Sequence, residues 1–274
     1  MPTKKRDMYY NKAKQMGYRS RASFKLQYIN EKYHIIKKGD SVVDLGAAPG
    51  GWLQVAKELS EGTVIGVDLQ KIEPLEGVTT IKGDMTSPRI QEKIFELADK
   101  ADVVICDAAP NLSGNWALDH GRSIELSEVA LDVACRLLKP GGNFVVKVFQ
   151  GDMFDDFLKK VRDRFSSAMA YKSQASRTQS AEIYVIGKGF LTTSLRKGAI
   201  IDVKIDAMGN DGDGVAHVDD FVVFVKDARL GEKARVKIKD VKPSFAFAEK
   251  YVPKETDAIK GPQGKPAKVT KAPK

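Results

Sequence analysis

The chain has 274 residues, 42% of them apolar and 30% charged, with a net charge of +9; that is room for one large domain with a sizeable core and a small one beside it. No apolar run approaches the ~18 residues of a membrane span, and the N-terminus, "MPTKKRDMYYNKAKQMGYRSRA", lacks the apolar stretch of a secretory signal. No transmembrane helix and no secretory signal are therefore expected, and a monomeric cytoplasmic protein is.

Residues 1–40 hold eleven Lys or Arg against three acids, net +8, interleaved with Tyr9, Tyr10, Tyr18 and Phe24. Such a segment reads as a contact for a polyanion, RNA above all, its aromatics either stacking on bases or packing on the domain. "RSRASFKLQYI" is a helix ahead of the first strand. From residue 41 strands and helices alternate: "SVVDLG", helix "WLQVAKELS", "GTVIGVDL", "TTIKGDM", a helix over 88–99, "ADVVICDAAP", a long helix over 119–138 closed by "KPGG", then "NFVVKVFQ". Asp152 is placed to cap the helix "MFDDFLKKVRDRF", and residues 168–172 and 182–187 pair as two final strands. This alternation predicts an α/β domain over 41–190 whose parallel sheet is covered on both faces. From residue 192 to 250 the texture changes to four or five short strands between Gly and Asp turns, the pattern of a small β-barrel, with "FLTTSLRKG" as the linker. Residues 252–274 hold six Lys against two acids, net +4, which leaves 41–251 at −3; this last stretch reads as a basic disordered tail. Cys106 and Cys135 show no metal-ligand spacing, so no metal is expected and the compartment is a reducing one.

In "VVDLGAAPGGW" a strand runs into a glycine turn and a helix start. Gly46, Gly50 and Gly51 let backbone approach a ligand, but their spacing is not the G-x-G-x-x-G of a dinucleotide cradle. Asp44, Asp68, Asp84 and Asp107 each stand at the C-terminal end of a predicted strand, the edge where open α/β sheets bind ligands. Four acids there suit a ligand with hydroxyls, amines and a positive charge: Asp68 a ribose diol, Asp84 an adenine amino group. S-adenosylmethionine fits; NAD fits less well.

Lys147 is the oddest residue in the chain. It interrupts the apolar run "VVKVFQG", where an unpaired ammonium is costly. Its strand follows the Asp107 strand, so the two residues are expected side by side. Glu182 opens "EIYVI", and if that strand runs antiparallel its start reaches the same sheet edge. Lys25 lies on the helix before the first strand. A lysine is ordinarily protonated at neutral pH; burial and a second cation favour its neutral form, and carboxylates favour the charged one. The sequence leaves that balance open.

On "SRASFKL", "VVDLGAAPGGW", "GDM", "CDAAPNLSG", "GGNFVVKVFQG" and "SRTQSAEIYVIGKG", the stretch from Arg19 to Lys188 resembles the FtsJ-like ribosomal RNA 2′-O-methyltransferases. The resemblance implies a Rossmann-like, mostly parallel seven-stranded sheet with an antiparallel last strand. It implies a catalytic Lys25–Asp107–Lys147–Glu182 tetrad, and S-adenosylmethionine contacts from Gly50, Trp52, Asp68, Asp84 and Asp107. It also implies a uridine ribose of large-subunit (23S) rRNA as substrate, with tRNA as the alternative. An inactive RNA-binding or ribosome-assembly protein is the reading from another class. Residues 192–250, on "DGDGVAHVDDFVVFVKDA", "GEKARVKI" and "FAFAE", resemble a TRAM domain, an OB-like barrel, and together the two point to an archaeal-type variant. Lys233, Arg235, Lys237 and Lys239 alternate along one predicted strand and are expected to line one face. Phe245 and Phe247 are placed either to stack on bases or to fill the core.

Overall fold

The computed structural model describes residues 8–177, 179–209, 211–219 and 221–252. Of the expected basic ends, residues 1–7 and 253–274 lie outside the described residues. Two compact units are present, one running up to Ser194 with Lys242–Ser244, the other made from Leu195–Val241 and the residues from Phe245 onward.

In chain order the first unit contains α1 (Met8–Gln15), α2 (Ser23–Tyr33), β1 (Val42–Leu45), α3 (Gly51–Ser60), β2 (Val64–Asp68), β3 (Val78–Lys82) and α4 (Pro88–Ala98). It continues with β4 (Ala101–Cys106), α5 (Trp116–Leu137), β5 (Leu138–Phe149), α6 (Phe154–Arg162), β6 (Phe165–Tyr171) and β7 (Glu182–Phe190). Its seven-stranded sheet has the order β3-β2-β1-β4-β5-β7-β6. The pairs among β1 to β5 are parallel, whereas β7 runs antiparallel to both β5 and β6. The sheet is Rossmann-like, and its strand order reverses between β1 and β4. Loops leaving those strands diverge there and open a crevice.

Alternation along the strands builds two cores. Val43, Leu45, Val104, Cys106 and Val146 face α4, α5 and α6, which supply Ile94, Leu131 and Phe157. Val42, Val64, Ile105 and Val145 face Leu26 and Ile29 of α2 and Leu53 and Val55 of α3. Because both faces are covered, β1 is buried at all four positions. α6 shows how one helix meets this demand. Phe154, Phe157, Leu158 and Val161 form its buried stripe, Asp155 and Asp156 lie in the first turn, and Lys159, Lys160 and Arg162 in the last, so the charges also complement the helix dipole.

Several local expectations are corrected. Asp152 does not cap α6: the N-cap is Met153, without a side-chain hydrogen bond. The chain passes from α5 at Leu137 directly into β5 at Leu138, so "KPGG" lies within an extended segment whose pairing with β4 is irregular between Ala101 and Val103. Of the two alternatives open for the N-terminal aromatics, packing on the domain is met: Phe24 is buried among Tyr9, Tyr18 and Ala175, and the Tyr18 hydroxyl donates to Glu58. Tyr10 alone of the four is 59% exposed.

The second unit is a six-stranded sheet, β8 (Ile200–Lys204), β9 (Ala207–Met208), β10 (Gly214–Val218), β11 (Phe221–Val225), β12 (Lys233–Val241) and β13 (Phe245–Lys250), in the order β8-β12-β13-β11-β10-β9. It curls until β8 lies against β10, the half-barrel form of a small barrel domain. Val203, Val223, Val225, Val236 and Ile238 fill it. On β12, Lys233, Arg235, Lys237 and Lys239 are all exposed while Val236 and Ile238 point inward. That face is less cationic than the sequence suggests, because Arg235 is paired with Asp202 at 2.9 Å and Lys239 with Glu249 at 3.0 Å. Phe245 and Phe247 do not join the core. They meet each other and Phe224 with ring centroids 5.3 to 5.8 Å apart.

Candidate active site

A cavity of about 680 Å³ opens at the strand-order reversal, lined from the ends of β1, β2, β3 and β4 by Gly46, Asp68, Asp84 and Asp107 among others. Asp68, the last residue of β2, accepts the Ala48 N–H at 2.9 Å and the Gln70 N–H at 2.7 Å. Each oxygen thus keeps a lone pair for a ligand, and the glycine turn is tied to β2. Asp84 accepts the Thr86 N–H at 2.8 Å and is exposed to solvent. Gly46 has φ +75°, and a Cβ there would stand 2.5 Å from the Ala108 Cβ. Only glycine lets the β1 and β4 exits come this close and shape the crevice wall. Arg19 ties the glycine turn to the segment after β2: its guanidinium donates to the carbonyls of Pro49, Glu73 and Pro74.

Asp44, Gly50, Gly51 and Trp52 do not line the cavity; they frame it. Gly50 precedes α3 and Gly51 begins it, packed under Ser20 and Ser23. Trp52 is buried and its Nε1–H donates to the Ala22 carbonyl at 2.8 Å, fastening α3 to α2. Asp44 is wholly buried, and neither of its carboxyl oxygens has a hydrogen-bond partner. Burial, and then the charges of Asp107 and Asp68, push its carboxyl well above the ordinary carboxylate range. An unfolded Asp44 ionises near pH ~4, whereas the folded one holds its proton, so stability falls as pH rises above that value. Asp44→Asn removes this penalty. In urea melts between pH 4 and 8 the variant should gain ~1 kcal/mol or more over the parent towards the alkaline end; parallel pH profiles for the two proteins would contradict this.

Beside the cavity four charged side chains meet. Val145, Lys147 and Phe149 share one face of β5. Val145 is spent in the core against α2, and Lys147 reaches the crevice edge. Its Nζ lies 3.1 Å from Asp107 Oδ1, at side-chain exposures of 9% and 17%, and also donates to the Asp107 carbonyl. Lys25, buried on α2, is ion-paired with Glu182 at the start of β7. Because β7 is reversed, its first residue stands opposite Phe149, the last of β5. Burial pushes the Glu182 carboxyl up, but the charge and hydrogen bond of Lys25, the charge of Lys147 and the Ser176 hydroxyl together hold it below its ordinary value.

Tyr184 joins the two ion pairs, a residue that sequence reasoning missed. Its hydroxyl lies 2.8 Å from Asp107 Oδ1 and 3.3 Å from Glu182 Oε1. Burial, followed by the two carboxylate charges, raises its pKa well above the ordinary value, so the phenol remains a donor. A tyrosine in "EIYVI" reads simply as a β-former; the only available signal was its place two residues after Glu182, which puts both side chains on one sheet face. Asn111, Arg122 and Glu125, which also line the cavity, were likewise not singled out. Among the described residues no group of His, Cys, Asp and Glu is arranged to hold a metal ion, and no helix is long and apolar enough to cross a membrane.

An open crevice at a strand-order reversal, lined by acids from three strand ends and with two lysines beside it, suits the transfer of a small group from a nucleoside cofactor. Comparison with known proteins agrees. Residues 18–190 match the FtsJ-like methyltransferase family and residues 195–251 the TRAM domain. A protein of Methanocella arvoryzae named ribosomal RNA large subunit methyltransferase E is 76% identical over 250 residues, covering 91% of this chain and 98% of that protein. One of the same name from Methanosarcina barkeri is 63% identical over 251 residues, covering 91% and 95%. The crystal structure of a Plasmodium falciparum protein described as a ribosomal RNA methyltransferase superposes with a TM-score of 0.58 at 28% identity, covering 63% of this chain and 98% of that one. The chain belongs to the FtsJ-like methyltransferases, and it carries a C-terminal TRAM domain.

Proposed function

We propose that this enzyme, acting as a cytoplasmic monomer, methylates the 2′-oxygen of a uridine ribose in large-subunit (23S) rRNA, with S-adenosylmethionine as donor. The observation that carries the reading is the double position of Asp107, which both lines the cavity and pairs with Lys147; cofactor cleft and reactive lysine therefore share a wall. The residues fit the cofactor. Asp68 has free lone pairs for a ribose diol, Asp84 stands exposed for the base, Gly46 keeps the crevice open, and the buried carboxyl of Asp44 is unpartnered behind it. Gly50, Gly51 and Trp52 support the turn from behind.

S-adenosylmethionine supplies an activated methyl group on a good leaving group. What remains for the protein is to align the ribose hydroxyl and dispose of its proton, and alignment alone contributes several kcal/mol. Lys147, positioned by Asp107, is the proton acceptor in this reading, and it accepts the hydroxyl proton as the neutral amine. Lys25, held by Glu182, steadies the nucleophilic oxygen or the adjacent phosphate. Tyr184 keeps both carboxylates in register, so that the two ammonium groups face one point. Burial, and then the charge of Arg177, hold the Arg21 pKa below its ordinary value, while the charge of Glu182 opposes them; a cationic spot of this kind suits a phosphate backbone passing there.

The test is methylation by the purified full chain, with labelled cofactor, of large ribosomal subunits, free rRNA and tRNA, followed by nucleoside mass spectrometry. The expected product is 2′-O-methyluridine in large-subunit rRNA. Label in tRNA alone would reassign the substrate, and label in no RNA would overturn the activity.

A further inference from the structure

Trp116, the first residue of α5, is 51% exposed. An indole open to solvent forgoes much of its burial energy, and such residues recur at binding surfaces. This one is also held flat. Its ring lies 17° from the plane of His120, with centroids 6.0 Å apart, and 22° from that of Phe149, at 6.1 Å.

Both supports are anchored to the reactive end of the sheet. Phe149 is the last residue of β5, two beyond Lys147 on the same face and paired across to Glu182; two residues of strand span ~7 Å, within the reach of one nucleotide. His120 is 5% exposed. Its Nε2 accepts the Met153 N–H at 3.2 Å, and its Nδ1 is buried without a partner. Gly151 closes over the ring, and a Cβ there would come within 2.8 Å of it. The loop after β5 thus clamps His120, and His120 with Phe149 fixes the plane of Trp116. A flat aromatic at the end of the strand that carries Lys147 suits the base half of a nucleotide whose ribose lies at the lysines.

We propose that the Trp116 indole, backed by Phe149 and His120, is the stacking platform for an unpaired nucleobase of the RNA strand presented to Lys147. The inference rests on the RNA-methylating reading above and adds the residue that holds the base. Stacking of this kind tolerates any base, so Trp116 sets affinity and ribose placement, not base identity.

The test uses Trp116→Ala and Trp116→Phe in the full chain, with three readouts: KM and kcat on large-subunit rRNA, cofactor affinity by calorimetry, and tryptophan emission on titrating a single-stranded oligouridine. Trp116→Ala should raise the KM for RNA ~10–100-fold with cofactor affinity within two-fold of the parent, and Trp116→Phe should recover most of the loss. The only other tryptophan, Trp52, is buried, so oligouridine should quench the parent's emission and leave that of Trp116→Phe unchanged. KM for RNA within two-fold of the parent in Trp116→Ala, or quenching that persists in Trp116→Phe, would overturn the proposal. If Trp116→Ala loses cofactor affinity through misfolding, the Trp116→Phe quenching result decides. A parent enzyme that methylates no RNA defeats the activity itself, whereas an active parent with an equally active Trp116→Ala defeats only the platform.

Discussion

Lys147→Ala and Lys147→Arg should each lower kcat for methyl transfer by ~10²–10⁴-fold, the usual range for loss of a positioned proton acceptor, while cofactor affinity stays within about two-fold. The two variants separate charge from proton transfer. Alanine removes both, whereas arginine keeps the positive charge beside Asp107 but does not give up its proton in proteins. If Lys147 served only to neutralise Asp107, the arginine variant would retain near-normal turnover. Asp107 keeps a hydrogen bond from Tyr184 in either variant, so its carboxylate is not stranded when the lysine goes. Single-turnover rates with pre-bound cofactor, measured beside cofactor binding by calorimetry, give both quantities; near-normal turnover in either variant removes Lys147 as the acceptor.

Asp68→Ala should show the opposite split. Cofactor Kd should rise ~10²-fold, with kcat at saturating cofactor changed only a few-fold. A hydrogen bond to a charged acceptor contributes ~1.5–3 kcal/mol, and Asp68 both offers free lone pairs to a ribose diol and ties Ala48 and Gln70 to the end of β2. Part of the loss is therefore direct and part comes from a loosened glycine turn. Asp68→Asn distinguishes the two, since an amide presents one acceptor where the carboxylate presents two: it should fall between parent and alanine. Unchanged cofactor affinity in Asp68→Ala would take this residue out of the site. Together the Lys147 and Asp68 variants divide binding from chemistry.

Much of this site was legible along the chain because the signals are local. "VVDLGAAPGGW" couples a buried strand to a turn that needs glycine, and Gly46 at φ +75° against Ala108 is the physical reason. Lys147 stood out because its neighbours are apolar, and Asp107 was expected beside it because adjacent β-strands in an alternating chain usually pair; β4 and β5 do. The chain said least where the deciding partner was distant. Asp152 has capping chemistry, yet α6 begins one residue too late for it to act. The basic face of β12 counted four cations along the sequence, and carboxylates on β8 and β13 neutralise two of them. Phe24 and Tyr18 sat among arginines and lysines with stacking on bases and packing on the domain both open, and the fold packs both against the domain.

From residue order alone came the strand–helix alternation, the glycine turn, the row of acids at strand ends and the misfit lysine, all set by periods of two and 3.6 and by backbone needs that neighbours in sequence share. Residue order left the direction of β7 conditional; the sheet shows it reversed between β5 and β6, which brings Glu182 to a lysine 157 residues away. Tertiary structure alone gave the Tyr184 hydroxyl its two carboxylates and laid Trp116 against Phe149 and His120. Contacts of that kind depend on which strands adjoin and in which direction, a property of the closed core as a whole that no short window of residues contains.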